Sequence, residues 1–374
     1  MRMLIAGGGT GGHLFPGIAL AEEFTTRHPR NAVLFVGSQR GLEARVVPAS
    51  GFALETISAR GLKGKSVLHF LLGLALLPRA FVESWRILSR FRPEVVVGVG
   101  GYASGPVVFT AWLRRIPTAI EEQNALPGFT NRVLGHLVQA VFISFDEARA
   151  AFPAARTHLV GTPVRRKLLD NYLRSKSAHH RFGVLVLGGS LGAHGLNVRV
   201  MQALSSLADL KDAVDFVHQS GAADVEEVRA AYKALGLSAE VVAFIEDMSA
   251  AYAKASLVVC RAGATTVAEL AICKKASVLV PFPGATDDHQ AVNAKALVAA
   301  GAAVMFREAE LSGELLAGTI RELYQHPEQL QRMGRQAGLL GRPEAARELA
   351  DVCVGLIERS RGRTDRRPSE APGR

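Results

Sequence analysis

Short runs of β-branched and aliphatic residues alternate along the chain with longer stretches whose apolar positions recur at helical spacing. Arg2–Ala6, Val33–Val36, Glu94–Val99 and Thr118–Ile120 predict buried strands, with helices over Ile18–Thr26 and Phe81–Phe91 between them. That order implies parallel sheets covered by helices on both faces. The pattern restarts after a polar, basic, proline-containing stretch at residues 161–180, which suits a linker. Phe182–Leu187 predicts a new first strand, and Gly188 to Ala193 repeats the glycine-rich turn seen at Gly7 to Gly12. The expected architecture is α/β: two Rossmann-like doubly wound domains, residues 1–160 and 161–342, with a cleft between them. A last helix, Glu344–Ile357 within residues 343–358, is expected to pack back on the first domain. Residues 359–374, with six arginines against Asp365 and Glu370, read as a disordered basic tail.

Composition narrows the classes. The 374 residues can bury two ordinary cores, and 48% hydrophobic with 21% charged residues excludes a disordered chain. The net charge of +10 suggests phosphates, nucleic acid or anionic lipid as partners without choosing among them. Cys260, Cys273 and Cys353 are widely spaced with no Cys-x-x-Cys, which fits a reduced cytosol and argues against a zinc site. The four apolar residues Met3 to Ala6 are too few for a signal peptide, so the chain is expected not to be secreted. No apolar run approaches the ~20 residues of a spanning helix.

Gly7-Gly8-Gly9-Thr10-Gly11-Gly12-His13 lies between a strand and a helix, where glycines let the backbone approach a phosphate and the helix start offers N–H donors. Gly7, Gly9 and Gly12 also satisfy the dinucleotide fingerprint, but the acidic residue expected after the second strand is missing from Gly37-Ser38-Gln39-Arg40. His13 opens the helix, placed to accept a nucleophile's proton or to donate to phosphate. Two other motifs fail. Gly64-Lys65-Ser66 has Ala59 where a P-loop needs its first glycine. Gly188-x-Ser190-x-Gly192 matches a nucleophile elbow, but the adjacent Asp288 and His289 are poorly suited to form a triad.

Arg261-Ala262-Gly263-Ala264-Thr265-Thr266-Val267-Ala268-Glu269 follows a strand and makes a second anion-type helix start. Glu269 falls one turn after Thr265, where a carboxylate can hold ribose hydroxyls. Pro281-Phe282-Pro283-Gly284 then forms a rigid loop feeding a helix with Gln290 and Asn293, amides suited to sugar hydroxyls. With no Asp-x-Asp motif, a leaving diphosphate would rely on backbone amides, helix starts and Arg165 rather than an obligatory metal; no cofactor is expected.

These segments, in this order, resemble the MurG family of bacterial glycosyltransferases, which convert lipid I to lipid II. The resemblance rests on GGTGGH at Gly8–His13, GVGGYASGP at Gly98–Pro106, EEQNALPG at Glu121–Gly128 and GTPVR at Gly161–Arg165. It continues with GGSLGA at Gly188–Ala193, HQSG at His218–Gly221, the RAGATTVAE segment and DDHQ. It implies the GT-B fold and a donor, UDP-GlcNAc, held by Thr10, Gly11, Gly12, Asn124, Arg165, Ser190, Ile245, Ala264 to Glu269, Gln290 and Asn293. Backbone groups at Ile245 are implied to hold the uracil. The acceptor, lipid I, is implied at Gly9, Gly100, Gly101, Tyr102, Ser104, Glu121 and Gln123, with His13 as base. Leu191, Thr162 and Cys260 stand where the family more often has Gln, Asn and Ser. Within the same fold a UDP-GlcNAc 2-epimerase is the rival enzyme, and a noncatalytic nucleotide-sugar-binding subunit is the rival of another class.

Between Arg60 and Arg92 seven Lys or Arg residues stand against Glu83 alone. Inside this stretch Phe70, Leu71, Leu74 and Leu77, then Arg79 and Trp85, fit either a core helix or a shallow insertion into anionic lipid. The lipid acceptor implied by the resemblance favours the latter, at the cytoplasmic face of the inner membrane. No basic-aromatic interleaving points to nucleic acid.

Overall fold

The computed structural model describes residues 1–38, 41–59, 67–174, 181–189 and 192–365. The chain divides into two compact units, Met1–Pro163 with Glu344–Arg374, and Val164–Pro343. The first unit runs β1 (Arg2–Gly7), α1 (Gly11–Thr26), β2 (Ala32–Ser38), α2 (Glu43–Ala49), β3 (Ala53–Ile57), α3 (Val67–Phe91) and β4 (Val95–Gly100). It continues with α4 (Ser104–Leu113), β5 (Thr118–Glu122), α5 (Phe129–Leu134), β6 (Ala140–Ile143) and β7 (Thr157–Leu159). The second begins with α6 (Arg166–Arg174), β8 (Phe182–Leu187), α7 (His194–Leu204), β9 (Val214–Gln219), α8 (Val225–Ala234) and β10 (Ser238–Val242). There follow α9 (Met248–Lys254), β11 (Leu257–Cys260), α10 (Ala264–Ile272), β12 (Ala276–Leu279), α11 (His289–Ala299), β13 (Ala303–Met305), α12 (Gly313–Gln325) and α13 (Pro327–Leu340). Helix α14 (Ala345–Asp365) returns to the first unit.

The described strands of the first unit pair in the order β3-β2-β1-β4-β5-β6-β7, and those of the second in the order β10-β9-β8-β11-β12-β13. All these pairings are parallel. Each sheet is apolar on both faces, as a parallel sheet under two helical layers must be. In the first, Met3, Ile5, Val95, Val97 and Phe142 face one core, while Leu4, Ala6, Val96, Ile120 and Val141 face the other. Strand order reverses at β1/β4 and again at β8/β11, and the carboxyl ends of strands at such switch points are where ligands of this architecture bind. Both glycine turns read from the sequence leave these strands there.

In α14, Leu349, Cys353, Leu356 and Ile357 recur at one-face helical spacing and join the core formed with α1 and β1. Each such side chain contributes about 1.5–3 kcal/mol when fully buried. The expectation of a solvated tail from Arg359 is corrected: the helix continues to Asp365. Arg361 pairs with Glu94 at the start of β4, and that carboxylate also accepts from the Arg2 amide, which anchors the extra turns.

Helix α3 places Ala80, Ser84, Ile87 and Leu88 inward, while Val82 and Trp85 on the other side are 50% and 52% exposed. Among the described residues no helix is long and apolar enough to cross a membrane.

Candidate active site

Where β1 meets β4, the turn after β1 and the Gly100-Gly101 turn after β4 lie backbone against backbone. The Gly8 amide donates to the Gly100 carbonyl at 3.3 Å. Gly101, at φ +81°, leaves so little room that a Cβ there would stand 2.3 Å from the Gly8 carbonyl oxygen. The α1 N-terminus, with Thr10, Gly11 and Gly12, opens from this contact, and Gly9, Thr10 and Tyr102 are exposed beside it.

The turn is held from behind by Glu43, a residue the sequence reading missed. Its buried carboxylate accepts from the Gly9 amide at 2.9 Å, and from the amide and hydroxyl of Ser38 at 2.9 and 2.7 Å. Burial alone would raise its pKa, but these hydrogen bonds and its own amide outweigh that and hold it below the ordinary range. The Gly9 N–H is therefore bonded to protein, while the residue itself stays exposed at the turn. No local pattern betrays Glu43, because Gly9 lies in a different turn of the chain.

His13, half-buried in the first turn of α1, sets Nδ1 3.1 Å from Gln123 Oε1, and Gln123 Nε2 donates to the Val99 carbonyl at 2.9 Å. Ser104, Glu121 and Gln123, expected to touch an acceptor, are 0%, 0% and 1% exposed. Their burial places all three beneath the turn rather than on its surface, and of the three Gln123 holds His13 and Val99 there. Strand β5 is buried along its whole length, and Glu122, not singled out, arranges the following loop. The carboxylate of Glu122 accepts from the Asn124 amide at 3.0 Å, the Gly128 amide at 3.0 Å and Asn131 Nδ2 at 3.0 Å. Asn124 is thereby fixed at the sheet edge, half-buried. The Glu121 carboxyl makes no hydrogen bond of good geometry among the described residues, the Gln123 amide lying only near it. Burial pushes it up to about 8; the Gln123 amide offsets part of this and the Glu122 charge adds to it.

In the second unit, Gly263 caps α10, and Thr265, Thr266 and Ala268 are half-buried near its start while the side chains of Ala264 and Val267 point inward. Glu269, one turn on, is 8% exposed and accepts from the buried Tyr252 hydroxyl at 2.9 Å. Burial pushes its carboxyl up to about 6, with Tyr252 and the Arg165 charge pulling the other way. Arg165, just before α6, is thus within electrostatic reach of Glu269. The Ile245 N–H donates to Gln219 Oε1 at 2.9 Å, while Gln219 Nε2 donates to the Gly189 carbonyl at 2.7 Å. Of the Ile245 backbone pair implied for a base, the N–H is thus held by Gln219 in this structure. Ser190 and Leu191 lie outside the described residues.

The loop before α11 is braced rather than free. Arg261 donates to the carbonyls of Val280 and Pro281 at 3.1 and 3.3 Å and pairs with Glu308. Asp287 and Asp288 sit at φ +53° and +56°, costly for residues other than glycine. Two hydrogen bonds from Arg307 to the Asp288 carboxylate, 2.8 and 2.7 Å, hold that conformation. Gln290 accepts from the Phe282 amide at 3.0 Å through Oε1, which turns its NH₂ group away from that bond. Asn293, expected to meet a sugar, is 0% exposed and donates to the Ala262 carbonyl at 3.2 Å, so it too is corrected to a support. Among the described residues no group of three or more His, Cys, Asp or Glu is placed to hold a metal.

Paired parallel α/β units with glycine turns and helix starts at the switch points define a GT-B-type glycosyltransferase architecture. The glycosyltransferase family 28 N-terminal domain matches residues 3–143 and the family 28 C-terminal domain matches residues 183–349, so the chain belongs to glycosyltransferase family 28. A Myxococcus xanthus relative, named UDP-N-acetylglucosamine–N-acetylmuramyl-(pentapeptide) pyrophosphoryl-undecaprenol N-acetylglucosamine transferase, is 66% identical over 99% of this chain and 97% of its own. The crystal structure of Acinetobacter baumannii MurG is similar at TM-score 0.78 and 32% identity, covering 95% of this chain and 99% of that one. The MurG resemblance read from the motifs is thus met over the whole length. A Neisseria meningitidis UDP-GlcNAc 2-epimerase aligns at TM-score 0.65 but 12% identity, covering 95% of this chain and 100% of that one, and shares the fold alone.

Proposed function

We infer that this chain transfers N-acetylglucosamine from UDP-GlcNAc to the 4-hydroxyl of MurNAc in lipid I, forming lipid II for peptidoglycan synthesis. The observation that carries this reading is the full-length 66% identity to the Myxococcus xanthus transferase of that name. The reaction is an inverting displacement. The hydroxyl oxygen attacks the anomeric carbon, UDP leaves from the opposite face with the bonding electrons, and an oxocarbenium-like transition state lies between. His13 takes the hydroxyl proton. Thr10, Gly11, Gly12, Asn124, Arg165, the α10 start, Glu269 and Gln290 hold the donor, with Glu269 on the ribose. Gly100, Gly101 and Tyr102 border the acceptor diphosphate. The α10 start favours the departing diphosphate through its dipole.

The acceptor is a lipid, and the outer side of α3 and α4 supports docking on the anionic cytoplasmic face of the inner membrane. Val82, Trp85 and Leu113 are 50%, 52% and 55% exposed, and Arg114 stacks over the Trp85 ring at 4.9 Å. Arg79, exposed on the same helix and paired with Glu83 at 2.9 Å, adds a cation, and Leu77 is half-buried. The side chains of Phe70, Leu71 and Leu74 lie outside the described residues.

The test is incubation of the purified chain with labelled UDP-GlcNAc and a lipid I analogue. Label in the lipid fraction is the expected result. Appearance of ManNAc or UDP-ManNAc instead means epimerisation, and binding without turnover means a noncatalytic subunit.

A further inference from the structure

The side-chain amide of Gln123 has one possible orientation. Its Nε2 lies 2.9 Å from the Val99 carbonyl oxygen, which can only accept, so the NH₂ group must be on that side. Oε1 then faces His13 Nδ1 at 3.1 Å, and an amide oxygen can only accept as well. The proton of the neutral imidazole therefore sits on Nδ1, and its lone pair is on Nε2. With Gln123 only 1% exposed, water has little access to disturb the pair.

Two neighbours reinforce this. Gly100 lies against the ring so closely that a Cβ there would be 2.6 Å from His13 Nδ1 and 2.8 Å from Cε1, which fixes the ring plane. The buried Glu121 carboxyl lies beside the same amide and draws the Gln123 NH₂ group toward that side, away from His13. Among the described residues Nε2 of His13 has no hydrogen-bond partner, so it is left for a ligand.

We propose that Gln123 is a positioning residue that locks His13 as the Nδ1–H tautomer and thereby presents the Nε2 lone pair to the acceptor hydroxyl. This rests on the reading of His13 as the base. As the hydroxyl oxygen bonds to the anomeric carbon, its proton passes to Nε2, and the bond to UDP breaks with its electron pair on the diphosphate. His13 becomes an imidazolium whose Nδ1–H bond to Gln123 strengthens as charge develops. Outer-shell partners that set a histidine's tautomer commonly change activity by about 10–100-fold when removed.

The experiment uses the full chain with ¹⁵N-labelled histidine, in which long-range ¹H–¹⁵N correlations identify the protonated ring nitrogen. The His13 signals are assigned by their loss in His13→Asn. Above the titration of the ring, the wild-type chain is expected to show protonated Nδ1. Gln123→Met is expected to shift the population toward protonated Nε2 and to lower kcat about 10–100-fold with KM for UDP-GlcNAc unchanged. Protonated Nε2 in the wild-type chain overturns the proposal, as does an unchanged kcat in a folded Gln123→Met chain. If that variant does not fold, the wild-type spectrum still decides the tautomer. Full activity in His13→Ala would remove His13 as base and the hydroxyl step with it, while protonated Nδ1 would still assign Gln123 its hold on the ring.

Discussion

Donor affinity should depend on pH through one buried carboxyl. Glu269 is raised to about 6 because burial disfavours its charge, with the Tyr252 hydroxyl and Arg165 limiting the rise. Cys260 and Cys273, the other titratable groups against it, are pushed far up by burial and stay neutral thiols in this range. An ionised carboxylate accepts from ribose hydroxyls more strongly than its neutral acid, by about 1 kcal/mol per hydrogen bond and so about 2 kcal/mol over two hydroxyls. The sign follows: affinity is full above about 6 and falls as the pH drops below it. The expected loss is about 10–100-fold. Tyr252→Phe removes the 2.9 Å hydrogen bond to the carboxylate, so the midpoint should move upward. The move is about 1 pH unit for each 1.4 kcal/mol lost. The assay is calorimetric titration with UDP-GlcNAc, whose diphosphate is doubly esterified and does not titrate here, from pH 5 to 8. Glu269→Gln serves as control and should bind weakly with little pH dependence. Affinity that is flat with pH in the wild-type chain, or a midpoint unmoved by Tyr252→Phe, would refute the reasoning.

Three further outcomes follow from the geometry. Glu43→Gln cannot accept from both Gly9 and Ser38 as the carboxylate does, and should destabilise the chain by about 1–3 kcal/mol in urea denaturation. It should also raise KM for the lipid acceptor more than for UDP-GlcNAc; an unchanged denaturation midpoint would remove Glu43 as the brace. Gly101→Ala places a methyl 2.3 Å from the Gly8 carbonyl at a positive φ, so thermal melting should drop and transfer should fall at least tenfold. Wild-type melting and activity would show that the two turns are not in contact. Trp85→Ala with Arg79→Glu should weaken flotation with anionic vesicles while leaving transfer to a short-chain, water-soluble acceptor intact. Flotation equal to wild type and insensitive to salt would remove α3 from the membrane surface.

The parallel sheets and both strand-to-helix glycine turns were legible in the sequence because they are local. A strand, a run of glycines and a helix start lie within a dozen residues of one another, and strand–helix alternation determines the parallel pairing. Side-chain facing was less legible. Reading EEQN selected Glu121 and Gln123, yet which face of β5 meets the loop depends on how α1 and α4 cover the sheet. Glu122, one residue between them, holds the loop through hydrogen bonds from Asn124, Gly128 and Asn131. Asn293 failed for a related reason: an amide in a helix after a polar loop reads as a sugar contact, but its place on α11 turns it under the Ala262 carbonyl. Glu43 and Gln219 escaped notice because each joins segments distant in the chain, Gly9 with Ser38 and Gly189 with Ile245. The helical part of the basic C-terminus depended on Glu94, whose role as an anchor appears only once β4 is placed beside α14.

The most direct measurement is NMR analysis of the lipid product made from UDP-GlcNAc and a lipid I analogue. A new GlcNAc joined to the MurNAc 4-oxygen with the β-anomeric coupling is the expected result. An α-linkage, attachment at another oxygen, or an unmodified acceptor would contradict the account.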